Sequence, residues 1–205
     1  GHGGSRAQRV SGFEQLSARL NATLRQHRIQ RYWLIGYSLG GRAALYHACR
    51  YADSSLAGAV VEGAHFGLAS PHERAQRLAD DRHWASLFRQ QPLGDTLHKW
   101  YRQPVFADLR EPQRQQLIAL RADNDPQALA AMLLNTSLAR QPYLLPEIQR
   151  LPVFHYLCGE HDLKFQRLAA GAGLPVTTIP AAGHNAHRAC PQAFAAALAQ
   201  KLNPV

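Results

Sequence analysis

At 205 residues, with 46% apolar and 18% charged side chains, the chain is long enough for one globular domain with a real core, which excludes a disordered segment, a coiled coil and a disulfide-stapled miniature. Lysine and arginine number 23 against 14 acidic residues, a net charge of +9, yet the arginines are scattered singly from Arg6 to Arg188 and the only lysines are Lys99, Lys164 and Lys201. That distribution reads as a solvated basic surface with room for a few arginine forks to grip carboxylates, not as the basic run of a nucleic-acid arm.

The chain opens on Gly1-His2-Gly3-Gly4-Ser5-Arg6, a glycine-rich loop with no methionine, apolar signal core, strand or helix ahead of it, so the start reads as cut into a fold. From residue 11 to about 27, Phe13, Leu16, Leu20 and Leu24 recur at spacings of three and four among polar residues and predict an amphipathic helix. Tyr32-Trp33-Leu34-Ile35 then reads as a short buried strand ending at Gly36, and the alanine-rich stretch 39–49 as a helix. Leu56-Ala57-Gly58-Ala59-Val60-Val61-Glu62 is the next buried strand, completing a β-α-β unit whose crossover predicts parallel pairing.

Between residues 70 and 145 helical spacing dominates. Ser70-Pro71-His72-Glu73 supplies an N-cap, a first-turn proline and a capping-box glutamate for a helix through Phe88. Further helices are predicted over 93–101, 111–122 and 126–138, punctuated by Pro92, Pro104, Pro112, Pro126 and Pro142. These residues read as too polar for a second independent core and so as a lid-like helical insertion, giving core segments 1–69 and 146–205 around a lid of 70–145. Strand character returns at 153–158, ending at Gly159, and at Val176-Thr177-Thr178-Ile179, and a helix over 190–202 closes the chain. The expected class is α/β, a mostly parallel sheet flanked by helices.

No apolar run of about eighteen residues is present, so no membrane span is expected and the cytoplasm is the default location. Cys49, Cys158 and Cys190 are odd in number and widely spaced, which predicts small, reduced, buried side chains.

Gly36-Tyr37-Ser38-Leu39-Gly40 is a G-x-S-x-G sequence placed after a buried strand and before a helix, the context in which it lifts a nucleophilic serine above the strand end. Gly36 and Gly40 permit the tight turn, and the Leu39 N–H falls where an oxyanion would sit. A serine needs a base and the base a carboxylate. Asp162, in Gly159-Glu160-His161-Asp162, and His184, in Ala182-Gly183-His184-Asn185, follow later strands in the order Ser, Asp, His. Asp53, Glu160 and His187 are the substitutes if that assignment slips. His184 and His187 also form H-x-x-H, but no third ligand pattern accompanies it, and no metal is expected. Arg42, one helical turn after Ser38, should share its face and suits a carboxylated substrate, with a structural ion pair as the other reading. Arg77, Trp100 and Arg121 could add carboxylate contacts and a stacking surface.

Six segments carry a resemblance over essentially the whole chain: Gly36-Tyr37-Ser38-Leu39-Gly40-Gly41-Arg42, Val61-Glu62-Gly63-Ala64-His65, the stretch from Trp100 to Phe106, Ala119-Leu120-Arg121, Cys158-Gly159-Glu160-His161-Asp162, and the stretch from Ala182 to Arg188. Together they resemble the 2-succinyl-6-hydroxy-2,4-cyclohexadiene-1-carboxylate synthases of menaquinone biosynthesis, which have the α/β-hydrolase fold. The resemblance implies a pyruvate-eliminating carbon-oxygen lyase that uses no cofactor, with Ser38, Asp162 and His184 as the triad and Leu39 at the oxyanion site. It places substrate binding at Tyr37, Arg42, Arg77, Trp100 and Arg121. The implied partner is a small tricarboxylate, without nucleic acid or membrane, and a monomer is favoured. The opening Gly1-His2-Gly3-Gly4-Ser5 resembles the loop after an early strand of that fold, so about three strands and the loop donating a second oxyanion N–H are expected to lie outside this chain. The rival reading is a serine hydrolase acting through an acyl-enzyme on a carboxylated ester or carbon-carbon substrate. A decayed, non-catalytic hydrolase fold is disfavoured by the complete triad.

Overall fold

The computed structural model describes residues 2–5 and 7–202. Three largely apolar runs and the β-branched Val176-Thr177-Thr178-Ile179 form a four-stranded sheet in the order β1-β2-β3-β4: β1 (Tyr32–Tyr37), β2 (Leu56–Glu62), β3 (Phe154–Gly159) and β4 (Val176–Ile179). Every pairing is parallel. Parallel neighbours require crossovers, and helices supply them. α1 (Phe13–Gln26) precedes β1, α2 (Leu39–Arg50) joins β1 to β2 and packs on both, and α8 (Leu163–Gly171) joins β3 to β4. The last helix, α10 (Pro191–Leu202), follows the one-turn α9 (Ala186–Ala189) and lays Phe194, Ala197 and Leu198 against a buried cluster of Val60, Leu157, Ile179, Ala182 and Ala186.

β1 runs one residue beyond Gly36, because Gly36 and Tyr37 stay in register with Val61 and Glu62. Glycine is no breaker there; it is where α2 crosses the strand end. A β-carbon on Gly36 would stand 2.6 Å from the Gly40 carbonyl oxygen. α8 lies in a stretch left without an element in the sequence reading, although a parallel β3–β4 pair demands a crossover there.

The chain divides into two compact units. One, Leu16–Gly67 together with the chain from Tyr143, holds the sheet. The other, Leu68–Pro142 with the stretch before Leu16, is helical: α3 (Pro71–Gln90), α4 (Leu93–Trp100), α5 (Glu111–Ala119) and α6 (Pro126–Asn135); the short α7 (Leu145–Ile148) belongs to the sheet unit. Residues before Leu16 were expected with the sheet. Three polar ties place them with the helices instead: Arg9 pairs with Asp125 at 3.0 Å, the Asn135 amide donates to the Val10 carbonyl at 2.8 Å, and the Gly3 N–H donates to Asn124 Oδ1 at 3.0 Å.

The helical unit also corrects the expectation that it lacks a core. Ala85, Phe88, Leu97, Tyr101, Phe106, Leu109, Leu117, Ile118 and Ala130 form one buried cluster, with Trp100, Leu129 and Leu133 packed against it. Each helix contributes only one or two of the nine buried side chains and the segment between α4 and α5 the other three, so the core is visible only when the pieces are summed. Arginine staples the pieces together. Arg114 donates to the carbonyls of Tyr101 at 2.9 Å and Leu109 at 3.0 Å while pairing with Glu111 at 2.7 Å, and Arg74 donates to the carbonyl of Leu68 at 2.8 Å.

Candidate active site

Three strand ends meet at the site. Ser38 follows β1, and its backbone is held at φ 49°, ψ −110°, in a region that side chains avoid. The Ser38 N–H donates to the Glu62 carbonyl at 2.8 Å, so the turn is tied to the end of the neighbouring strand. Crowding explains the glycines, and it redistributes them: Gly36 has no space for a β-carbon, nor has Gly41, whose β-carbon would stand 2.7 Å from that of Ala64, whereas Gly40 has open space. The expected pair Gly36 and Gly40 is thus corrected to Gly36 and Gly41 as the residues that close the turn. Leu39 opens α2, so its N–H is among the unpaired donors of a helix start, where the dipole favours negative charge.

Asp162 caps α8 just past β3, and its N–H donates to the Gly159 carbonyl at 3.1 Å. His184 follows β4. The two loops are laced together, Glu160 N–H donating to the Ile179 carbonyl at 2.9 Å and His161 N–H to the Ala182 carbonyl at 2.8 Å. Across them His184 Nδ1 lies 2.6 Å from Asp162 Oδ2, and Nε2 lies 3.2 Å from Ser38 Oγ. With the carboxylate ionised, this network assigns the Nδ1 proton to the Asp162 bond and leaves Nε2 to accept from the serine hydroxyl. Both groups are buried, His184 at 3% exposure and Asp162 at 6%, which strengthens their mutual attraction.

The imidazole is confined on every side. Phe165 stacks on it at 4.9 Å and 22°, Tyr37 tilts against it at 5.1 Å, and Gly63, at φ 53°, lies so close that a β-carbon would stand 2.8 Å from Cε1. Phe165 and Gly63 were missed from sequence. The signal for Gly63 was present, a glycine directly after an apolar strand, but its target was not.

The three substitutes have other employment. Asp53 accepts from the Ser55 N–H at 2.9 Å in a turn, Glu160 accepts from the Ala181 N–H at 2.7 Å, and His187 Nδ1 bonds Glu62 Oε2 at 2.7 Å. The two histidines of H-x-x-H are therefore each held by a separate carboxylate. Arg42 is buried at 8% exposure, one turn into α2, with its N–H donating to the Ser38 carbonyl at 2.9 Å. The Tyr37 hydroxyl donates to Asn185 Oδ1, another buried residue the sequence did not single out.

Arg77, Trp100 and Arg121 belong to the helical unit. Arg77 Nε pairs with Asp81 Oδ1 at 3.0 Å, and the other Asp81 oxygen is buried without a hydrogen bond among the described residues. Trp100 meets Trp84 edge-on at 5.0 Å. Arg121 donates to the Leu117 carbonyl at 3.2 Å and stands 5.6 Å over the Tyr101 ring. Cys158 is buried and the other two cysteines are half-buried; all three are unpaired thiols, and burial pushes Cys158 and Cys49 up to about 12, away from nucleophilic use.

Comparison with known proteins supplies the family. A profile of the Alpha/beta hydrolase family matches residues 1–197. The chain is 52% identical over 196 residues to the 2-succinyl-6-hydroxy-2,4-cyclohexadiene-1-carboxylate synthase of Pectobacterium atrosepticum, covering 95% of this chain and 78% of that protein. It is 53% identical to the synthase of the same name from Photorhabdus laumondii, over 96% of this chain and 71% of the other. The solved structure of MenH from S. aureus superposes with a TM-score of 0.86 at 22% identity, over 93% of this chain and 75% of that one, which speaks to fold. The chain belongs to the α/β hydrolase family and, within it, to the 2-succinyl-6-hydroxy-2,4-cyclohexadiene-1-carboxylate synthases.

Proposed function

We propose that this protein is a carbon-oxygen lyase of menaquinone biosynthesis that eliminates pyruvate from 2-succinyl-5-enolpyruvyl-6-hydroxy-3-cyclohexene-1-carboxylate to give 2-succinyl-6-hydroxy-2,4-cyclohexadiene-1-carboxylate. The observation that carries the reading is the hydrogen-bonded line Asp162, His184, Ser38 in a chain about half identical to synthases named for that product. His184 Nε2 takes the Ser38 proton, and Asp162 stabilises the imidazolium that forms. The serine oxygen removes the proton from ring carbon 2, next to the succinyl ketone. The electron pair forms the C2–C3 double bond as the C3–C4 double bond moves to C4–C5, and the C5–oxygen bond breaks. Pyruvate leaves as its enolate and takes up one proton, balancing the one removed. The Leu39 N–H, at the start of α2, stabilises the oxyanion that gathers on the ketone.

The substrate carries three carboxylates. Arg42 suits one of them, since a guanidinium matches a carboxylate bidentately and this one is buried a turn from the serine. We carry over to Tyr37, Arg77, Trp100 and Arg121 the binding roles that the resemblance implies. A cytoplasmic setting is in keeping with three cysteines left as thiols.

Pyruvate release from the enolpyruvyl substrate, followed with Ser38→Ala alongside, tests the reaction. Rapid release falling at least about 1,000-fold in the variant is the expected result. Release no faster than the spontaneous rate from folded protein, or a trapped acyl-serine by mass spectrometry with an ester substrate, would favour a carboxylate-selective hydrolase instead.

A further inference from the structure

A second carboxylate–imidazole pair stands beside the triad and has no part in the chemistry above. Glu62 is the last residue of β2 and lies in register with Tyr37, the residue before the serine. Its side chain is 4% exposed. One oxygen, Oε2, lies 2.7 Å from His187 Nδ1, and the other accepts the His187 backbone N–H at 3.2 Å. The His187 ring in turn lies 4.7 Å from the Tyr37 ring, which also lies 5.1 Å from the His184 ring. The Tyr37 hydroxyl donates to Asn185, the residue directly after His184. The loop 184–187 is thus fastened to the strand ends at two places, by Tyr37 through Asn185 and by Glu62 through both donors of His187.

A carboxylate buried at a strand end is costly unless fully bonded, and an apolar side chain would end an apolar strand at less expense. What the pair does that an apolar contact cannot is fix direction. A 2.7 Å bond from the ring and a longer one of 3.2 Å from the backbone N–H, both to one carboxylate, set the position of His187 and hence the tilt of the tyrosine ring that abuts the His184 imidazole. The Nε2 to Oγ contact of 3.2 Å is long enough that a small swing of His184 would break it.

We propose that Glu62 and His187 are positioning residues for the elimination: they clamp the His184 loop to the end of β2 and hold the Tyr37 ring against the His184 imidazole, which aims Nε2 at Ser38. The proposal rests on the reaction proposed above. One arm of its test needs no substrate, so the two readings fail separately.

In His187→Ala, kcat for pyruvate release falls about tenfold while KM stays within about twofold, because the base is misaligned while the arginines assigned to the carboxylates keep their places and only the Tyr37 ring among the binding residues is loosened. The low-field proton resonance of the Asp162–His184 hydrogen bond shifts or broadens in the same variant without substrate present. His187→Asn, whose amide can still donate to Glu62, returns kcat to within about threefold of the parent. Should His187→Ala not fold, Glu62→Gln is the second variant, keeping the shape while turning one acceptor into a donor, and it shows the same kcat-specific loss. An unchanged kcat with an unchanged resonance overturns the proposal, as does a rise in KM alone, which would mean that the pair serves substrate binding and not the aim of His184. A shifted resonance in a protein that releases no pyruvate would sustain the clamp and sink the proposed reaction.

Discussion

Gly63 shows how tightly single residues determine this site. It sits at φ 53°, where any side chain is strained by about 1–2 kcal/mol, and a β-carbon there would press on the His184 ring from 2.8 Å and approach Asp162 Oδ2 at 3.4 Å. Gly63→Ala should therefore cost activity out of proportion to stability. The expected result is a loss of about 100-fold in kcat for pyruvate release, with a melting temperature lowered by a few degrees, since pushing the imidazole by a fraction of an ångström breaks the alignment with Ser38. Equal kcat in the alanine variant would mean that the ring has slack the geometry does not show. The residues legible in the sequence were those whose chemistry announces itself: a serine in an elbow, an acid and a histidine after strands. Gly63, Phe165 and Asn185 act by shape and by neighbours far along the chain, and no local pattern names the neighbour.

At the scale of elements, the strands were legible for two reasons: β2 is a short, almost wholly apolar run, as buried parallel strands are, and β4, Val176-Thr177-Thr178-Ile179, is β-branched throughout. α8 is not legible in the sequence, although Leu163, Phe165 and Leu168 are apolar within a short stretch, because the polar residues around Asp162 read as loop. The helical unit was underestimated for a different reason. Its buried cluster draws one to three side chains from each of several helices and connecting segments, so no window of sequence looks like a core. The depth of that cluster is measurable. Phe88, 5% exposed near the end of α3, packs beside Trp100 at 5.7 Å, and Phe88→Ala should remove about 3 kcal/mol or more of unfolding free energy in urea titration. A change below about 1 kcal/mol would show that the helices collapse around the gap and that the cluster is loosely packed.

For the molecule as a whole, part of the excess positive charge is structural, because several arginines serve as tethers: Arg50 to Glu147 at 2.6 Å, Arg114 to two carbonyls, Arg74 to one. Histidine, less conspicuous in the composition, governs the response to pH. His47 in α2 is fully buried, its Nε2 3.2 Å from the Tyr32 hydroxyl and its Nδ1 without a hydrogen bond among the described residues. Burial pulls its pKa below 6.5 against a weaker upward pull from Asp53, and burial followed by Lys201 does the same to His155. Such groups are neutral when folded and gain their protons on unfolding. The unfolded chain therefore binds more protons as pH falls through about 6.5, and stability declines in that direction. Asp53, Glu111 and Asp125 are held low by hydrogen bonds, so what they contribute is lost only at more acidic pH, as it falls past the ordinary carboxylate range. The two windows are separable. The melting temperature should hold level from pH 8 to about 7 and then fall between about pH 6.5 and 5, and His47→Gln, which cannot take up a proton, should make that fall shallower while leaving the more acidic loss in place. An unaltered slope in the variant would assign the acid sensitivity to groups other than this buried imidazole.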